Sequence, residues 1–174
     1  MQVQQLAQLL GKALRVLQIL HAQRTAGDLV FIGRTDAAAC GPDLAGASGS
    51  GDGVGSLARF SFPSGIAYNP AGFLVVADTF NHTIRKVLLN GTVSTLAGAA
   101  GSQGSTNNTG VLAKFAYPYA VALDANGIIY VADSANHVIR RVDTSNGVTT
   151  LAGSAGVTGS ADGTGSAARF YQPS

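Results

Sequence analysis

The segment VADTFNHTIRKV, residues 76–87, returns as VADSANHVIRRV, residues 131–142, at an offset of 55. Asp78, Asn81, His82 and Arg85 come back as Asp133, Asn136, His137 and Arg140. A carboxylate, an amide, an imidazole and a guanidinium at fixed spacing have the makings of a catalytic or metal-binding cluster. They are also the side chains with which a tight connection holds itself together. Repetition favours the second reading. A catalytic centre is normally unique, whereas structural residues recur in every copy. Asp78 and Asn81 are expected to bond the connection's own amides, His82 to pack at a strand start, and Arg85 to pair with a neighbouring Asp. The two histidines lie on different units, and zinc needs three or four converging ligands. No catalytic residue, metal or cofactor is expected.

The repetition extends well beyond this segment. Residues 58–98 align with 113–153 without a gap, identical at 18 of 41 positions. LAG stands at 44–46, 96–98 and 151–153. Residues 161–174 match 51–64 at 9 of 14 positions, beginning a further copy. A fixed period of this size indicates a propeller, a solenoid or an array.

Within one unit, FPSGIAYN (62–69) opens on a proline suited to a strand start. Asn69-Pro70-Ala71-Gly72 is a turn signal. FLVVA (73–77) is almost wholly apolar, which predicts a strand buried on both faces. TIRKVLL (83–89) alternates, Asn90-Gly91 predicts a hairpin, and TVSTLAG (92–98) is a fourth strand. Four antiparallel strands followed by a Gly-rich crossover describe one propeller blade. The Gly-Asp stretches at 49–55 and 160–165 are read as such crossovers, since calcium requires more oxygens than their carboxylates provide.

The pattern F-x-x-P-x-G-I-A, then G-x-L-x-V-A-D-x-x-N-H-x-I-R-K-V, then V-x-T-L-A-G, resembles the NHL repeat. The third letter of the name is Thr83 or Val138 here, and Gly65 becomes Ala120 in the second unit. The resemblance covers about residues 44–174 and implies an all-β propeller, with a ring of about six blades. Two whole blades leave such a ring incomplete unless other chains or missing sequence complete it.

The expected organisation is an N-terminal amphipathic helix in 1–27, a transitional segment in 28–58 with one strand, LVFI at 29–32, and a Gly-rich loop, and blade 1 in 59–98. A crossover and blade 2 follow in 99–153, and a crossover with the start of a third repeat in 154–174. The helix rests on Val3, Leu6, Leu10, Ala13, Leu17 and Leu20. Lys12 and Arg15 interrupt the apolar run, so a cleaved secretory signal fits poorly. Packing against the rest of the protein or a copy of itself is expected, and a targeting remnant and a membrane-surface helix are the alternatives. Cys40, the single cysteine, is expected to be a buried small hydrophobe.

The nine acidic residues are all Asp, and the net charge is +2 from scattered residues. That is not the footprint of a dedicated nucleic-acid binder. Asn81, Asn90 and Asn107 begin N-x-Thr sequons and are candidate glycan acceptors. With the low charge they point to an extracellular protein. NHL-type propellers mostly act as interaction platforms. The expected function is therefore a non-enzymatic module that binds protein partners or copies of itself. The alternatives are a subunit of an extracellular polymer and a fragment of a propeller lyase or lactonase.

Overall fold

A computed structural model of the protein describes residues 47–174. The expected N-terminal helix, the strand at 29–32, Cys40 and the first LAG lie outside the described residues.

The described chain is all-β and forms two five-stranded antiparallel sheets. The strands are β1 (Gly53–Val54), β2 (Pro63–Asn69), β3 (Phe73–Asp78), β4 (Thr83–Leu88) and β5 (Thr92–Ala97). Their second set is β6 (Asn108–Thr109), β7 (Pro118–Leu123), β8 (Ile129–Asp133), β9 (Val138–Val142) and β10 (Gly147–Ala152). The sheet orders are β1-β5-β4-β3-β2 and β6-β10-β9-β8-β7.

Each blade thus holds one strand more than the four expected. The addition is a two-residue strand from the stretch read as a crossover: Gly53 lies opposite Val93 and Val54 opposite Thr92. The loop leading into blade 1 therefore belongs to blade 1's own sheet, and β6 repeats this on blade 2.

β3 is buried on both faces, as its apolar run predicts. Val75 and Ala77 point to one side and Leu74 and Val76 to the other. The first pair, with Ile84 and Ala97, packs against Ile129, Val131, Val142 and Phe115 of the second unit. The opposite face of blade 1 closes over Ala58, Phe60 and Ile66. One apolar cluster is therefore shared between the blades.

The innermost strands approach closely. A Cβ on Gly65 would stand 2.6 Å from the Tyr119 carbonyl oxygen and 2.8 Å from Ala120 Cα. Only glycine lets β2 lie this near β7 without a shift.

Candidate functional site

The β3–β4 connection is a single 3-10 turn, Thr79–Asn81, followed by His82 in the left-handed region at φ 59°. The second copy runs Ser134–Asn136 and ends on His137 at φ 60°. Asp78 closes β3, and Arg85 lies two residues into β4, on the face that also carries Val87.

The side chains converge on one buried point. Asp78 Oδ2 accepts from Arg85 Nη1 at 2.7 Å and from Asn81 Nδ2 at 2.8 Å. Asp78 Oδ1 accepts from the Ser61 amide at 2.7 Å. Arg85 also donates to the Arg59 carbonyl at 2.9 Å, the Gly51 carbonyl at 2.9 Å and Asp52 Oδ1 at 2.7 Å. Asn81 donates to the Gly49 carbonyl at 2.6 Å. The guanidinium lies 4.9 Å from the centroid of the Phe60 ring.

Blade 2 repeats the arrangement. Asp133 Oδ2 accepts from Arg140 at 2.9 Å and from Asn136 at 2.8 Å. Arg140 reaches the Lys114 and Thr106 carbonyls, and Asn107 takes the place of Asp52. These residues form a clamp that ties the two middle strands to the lead-in segment of the same blade.

Asp78 and Arg85 are both fully buried. Burial pushes the Asp78 carboxyl above its ordinary value, and the bonds from Asn81, Ser61 and Arg85 pull it back. Asp133 shows the same balance.

One expected role differs from the structure. Asp78 and Asn81 do not bond the amides of their own connection. The 3-10 turn already satisfies its amide internally, with the His82 N–H on the Thr79 carbonyl. The side chains are released to reach Ser61 and Gly49, which lie far upstream in sequence. Arg85, expected to pair with a neighbouring Asp, pairs with two, Asp78 and Asp52. A signal for Asp52 was present, because Asp52, Asn107 and Asp162 recur at the same offset of 55.

His82 does more than pack at the strand start. Its Nδ1 accepts the Tyr117 amide of the next unit at 3.2 Å, and its ring meets the Tyr117 ring edge-on at 4.6 Å. A backbone N–H can only donate, so Nδ1 is unprotonated in this contact. Burial lowers the His82 pKa from its ordinary 6.5. His137 Nδ1 receives the Gln172 amide in the same way, at 3.1 Å. Thr79 Oγ1 adds a bond to the Pro118 carbonyl at 2.8 Å. The imidazole of each motif therefore joins one unit to the next.

The sequons separate. Asn81 is buried with its nitrogen on Asp78 and Gly49, so a glycan on that nitrogen is incompatible with the clamp. Asn90 and Asn107 are exposed, and Asn107 uses its oxygen on Arg140. Among the described residues, no three His, Cys, Asp or Glu side chains converge on a metal-sized site. No helix among them is long and apolar enough to cross a membrane.

Sequence reasoning missed an aromatic cluster at the clamp end of the blades. Phe62 stacks on Phe80 with centroids 4.7 Å apart, and Phe80 meets Tyr117 edge-on at 5.8 Å. Phe62, Phe80 and Tyr117 are 45 %, 53 % and 38 % exposed. Phe80 has Ala135 as its counterpart in the second unit, so no repeat marks it. At the other end, an open groove separates the blades, and its charges are already engaged. Asp143 takes the Ser145 and Gly147 amides, and Lys86 lies over the Phe73 ring.

Stacked antiparallel blades of this kind, each clamped by an Asp-x-x-Asn-His-x-x-Arg turn, define a propeller-type repeat protein. The NHL repeat profile matches residues 60–87 and 115–141, so the chain carries NHL repeats at two positions. It is 34% identical over 100 residues to NHL repeat-containing protein 2 of Homo sapiens, covering 56% of this chain and 14% of that protein. It is 33% identical over 100 residues to Protein SUPPRESSOR OF QUENCHING 1, chloroplastic, of Arabidopsis thaliana, covering 57% of this chain and 9% of that protein. The chain thus spans a small part of the curated relatives it matches. Among solved structures, a protein of unknown function from Bacteroides thetaiotaomicron aligns with TM-score 0.55 and 25% identity, over 58% of this chain and 26% of that one. An auxiliary nutrient binding protein from Bacteroides ovatus aligns with TM-score 0.53 and 20% identity, over 62% and 30%. These likenesses support a propeller-like fold, of which the described residues form two blades.

Proposed function

We propose that the described region is a non-catalytic interaction module that docks an apolar segment of a protein partner on its aromatic end. The carrying observation is the exposed Phe62–Phe80–Tyr117 cluster. Large aromatic side chains held in a fixed arrangement supply contact area at low entropic cost and dominate many protein interfaces. These three are held. Tyr117 is tied to His82 through its amide, and Phe80 through its amide to the Ser61 carbonyl at 3.0 Å. The scattered, weak positive charge argues against nucleic acid as the partner.

The test compares proteins retained by the immobilised chain with those retained by Phe80→Ser. Phe80 is half exposed, so the variant is expected to melt close to the parent. The expected result is a partner held by the parent and lost from the folded variant. An identical retained set would overturn the proposal.

A further inference from the structure

Two of the three sequons stand on the surface, and the third lies inside the clamp. Asn81 is 9 % exposed, and Thr83, which completes its sequon, is 1 % exposed. Both protons of the Asn81 amide nitrogen are spent. One goes to Asp78 Oδ2 at 2.8 Å and the other to the Gly49 carbonyl at 2.6 Å. Asn81 also ends the 3-10 turn that places His82 in the left-handed region.

Glycan transfer would act on that same nitrogen. A bond forms from Nδ2 to the anomeric carbon of a lipid diphosphate-linked oligosaccharide. The bond from that carbon to the diphosphate breaks, the lipid diphosphate leaves with the electron pair, and Nδ2 gives up a proton. One N–H then remains for two acceptors. A bulky, hydrated sugar ring would have to stand within hydrogen-bond distance of Asp78 or Gly49. Either the buried Asp78 carboxylate loses a donor, or the lead-in segment loses its tie at Gly49. A buried acceptor left without its donor is costly, and more so when it is charged. In the unfolded chain none of these contacts exists, and Asn81-His82-Thr83 is an ordinary acceptor. Transfer and folding therefore compete for one nitrogen.

We infer that glycosylation of Asn81 traps the chain short of its fold, and that the protein reaches its clamped structure in a compartment without oligosaccharide transfer to Asn-x-Thr. The sequons by themselves point the other way, to an extracellular protein. The inference holds whichever partner the aromatic end takes.

Thr83 supplies an independent observation. Its Oγ1 is buried and has no hydrogen-bond partner. The hydroxyl therefore contributes no bond to the fold, and blade 2 does without it. Val138 stands at the same position, fully buried, so Asn136 begins no sequon. The hydroxyl of Thr83 is harmless only where no transferase reads it.

Thr83→Val removes the acceptor signal and leaves Asn81 in place. Made in a bacterial cytosol, this variant is expected to melt at or slightly above the parent, because an unpartnered buried hydroxyl is lost. The test is to express the full chain behind a cleavable secretion signal in a eukaryotic cell line, with mass spectrometry of the peptides that carry each sequon. The expected result is Asn81 occupied and the parent retained in the cell, with Thr83→Val released. Asn90 and Asn107 are exposed and unchanged in the variant, so the difference reports Asn81 alone. An unoccupied Asn81, in a chain retained or released, overturns the inference. So does a parent released with Asn81 occupied, and so does equal retention of the parent and Thr83→Val.

Discussion

Arg85 is a fully buried cation, and its tolerance rests on geometry. Two carboxylates and two carbonyls surround the guanidinium, and an aromatic face lies beneath it. A buried pair is weak evidence of net stability, but breaking it by removing one partner leaves a charge stranded. Arg85→Ala strands the buried Asp78 carboxylate and is expected to cost about 3–5 kcal/mol of unfolding free energy, read from urea denaturation. Asp52 sits at the exposed end of the same clamp, with its side chain 49 % accessible. A loss for Asp52→Ala equal to that for Arg85→Ala would contradict this ordering.

The elements show how far the sequence could be read. The bounds of β2 to β5 were legible because apolar runs, the Asn-Pro-Ala-Gly turn and Asn90-Gly91 punctuate them. β1 and β6 were not. Two residues have no period, and their pairing depends on a strand roughly forty positions away in the chain. The clamp residues were legible as structural, since they repeat. Their acceptors were not, because most are main-chain carbonyls, which any residue carries. In sequence Gly65 is marked only by its change to Ala120 in the second unit. In the fold Gly65 is where β2 nearly touches β7. Gly65→Ala would place a methyl 2.6 to 3.0 Å from three consecutive backbone atoms of β7, where no flexible side chain can give way. Such overpacking is expected to cost about 1–3 kcal/mol in thermal or urea denaturation. Ala120→Gly, in the second unit, is the matched control, and a loss at Gly65 no larger than at Ala120 would refute the close-approach account.

Across the whole described molecule, the blades are joined by one apolar cluster and a small set of polar bonds, of which the His82 bond is the one that titrates near neutrality. Its folded pKa lies below the 6.5 of the unfolded chain. Between those two values the unfolded chain binds a proton that the folded chain refuses. The stability from this contact is therefore complete above about pH 6.5 and is lost as pH falls through the folded value. The ring facing it across the seam is that of Tyr117. Melting temperature is expected to drop on acidification through this window. His82→Asn, which lacks the titration, should flatten the drop, and an equal drop in the variant would assign the effect elsewhere.

The clamp also sets an order of events during synthesis. Its acceptors leave the ribosome first, and the arginine that needs them follows 26 to 34 residues later. A nascent blade therefore carries an open cradle until its second middle strand has emerged. The His82 bond then waits a further 35 residues for the next unit to arrive. Translation pauses placed inside a unit would prolong the open cradle, whereas pauses after β5 would find that blade already sealed.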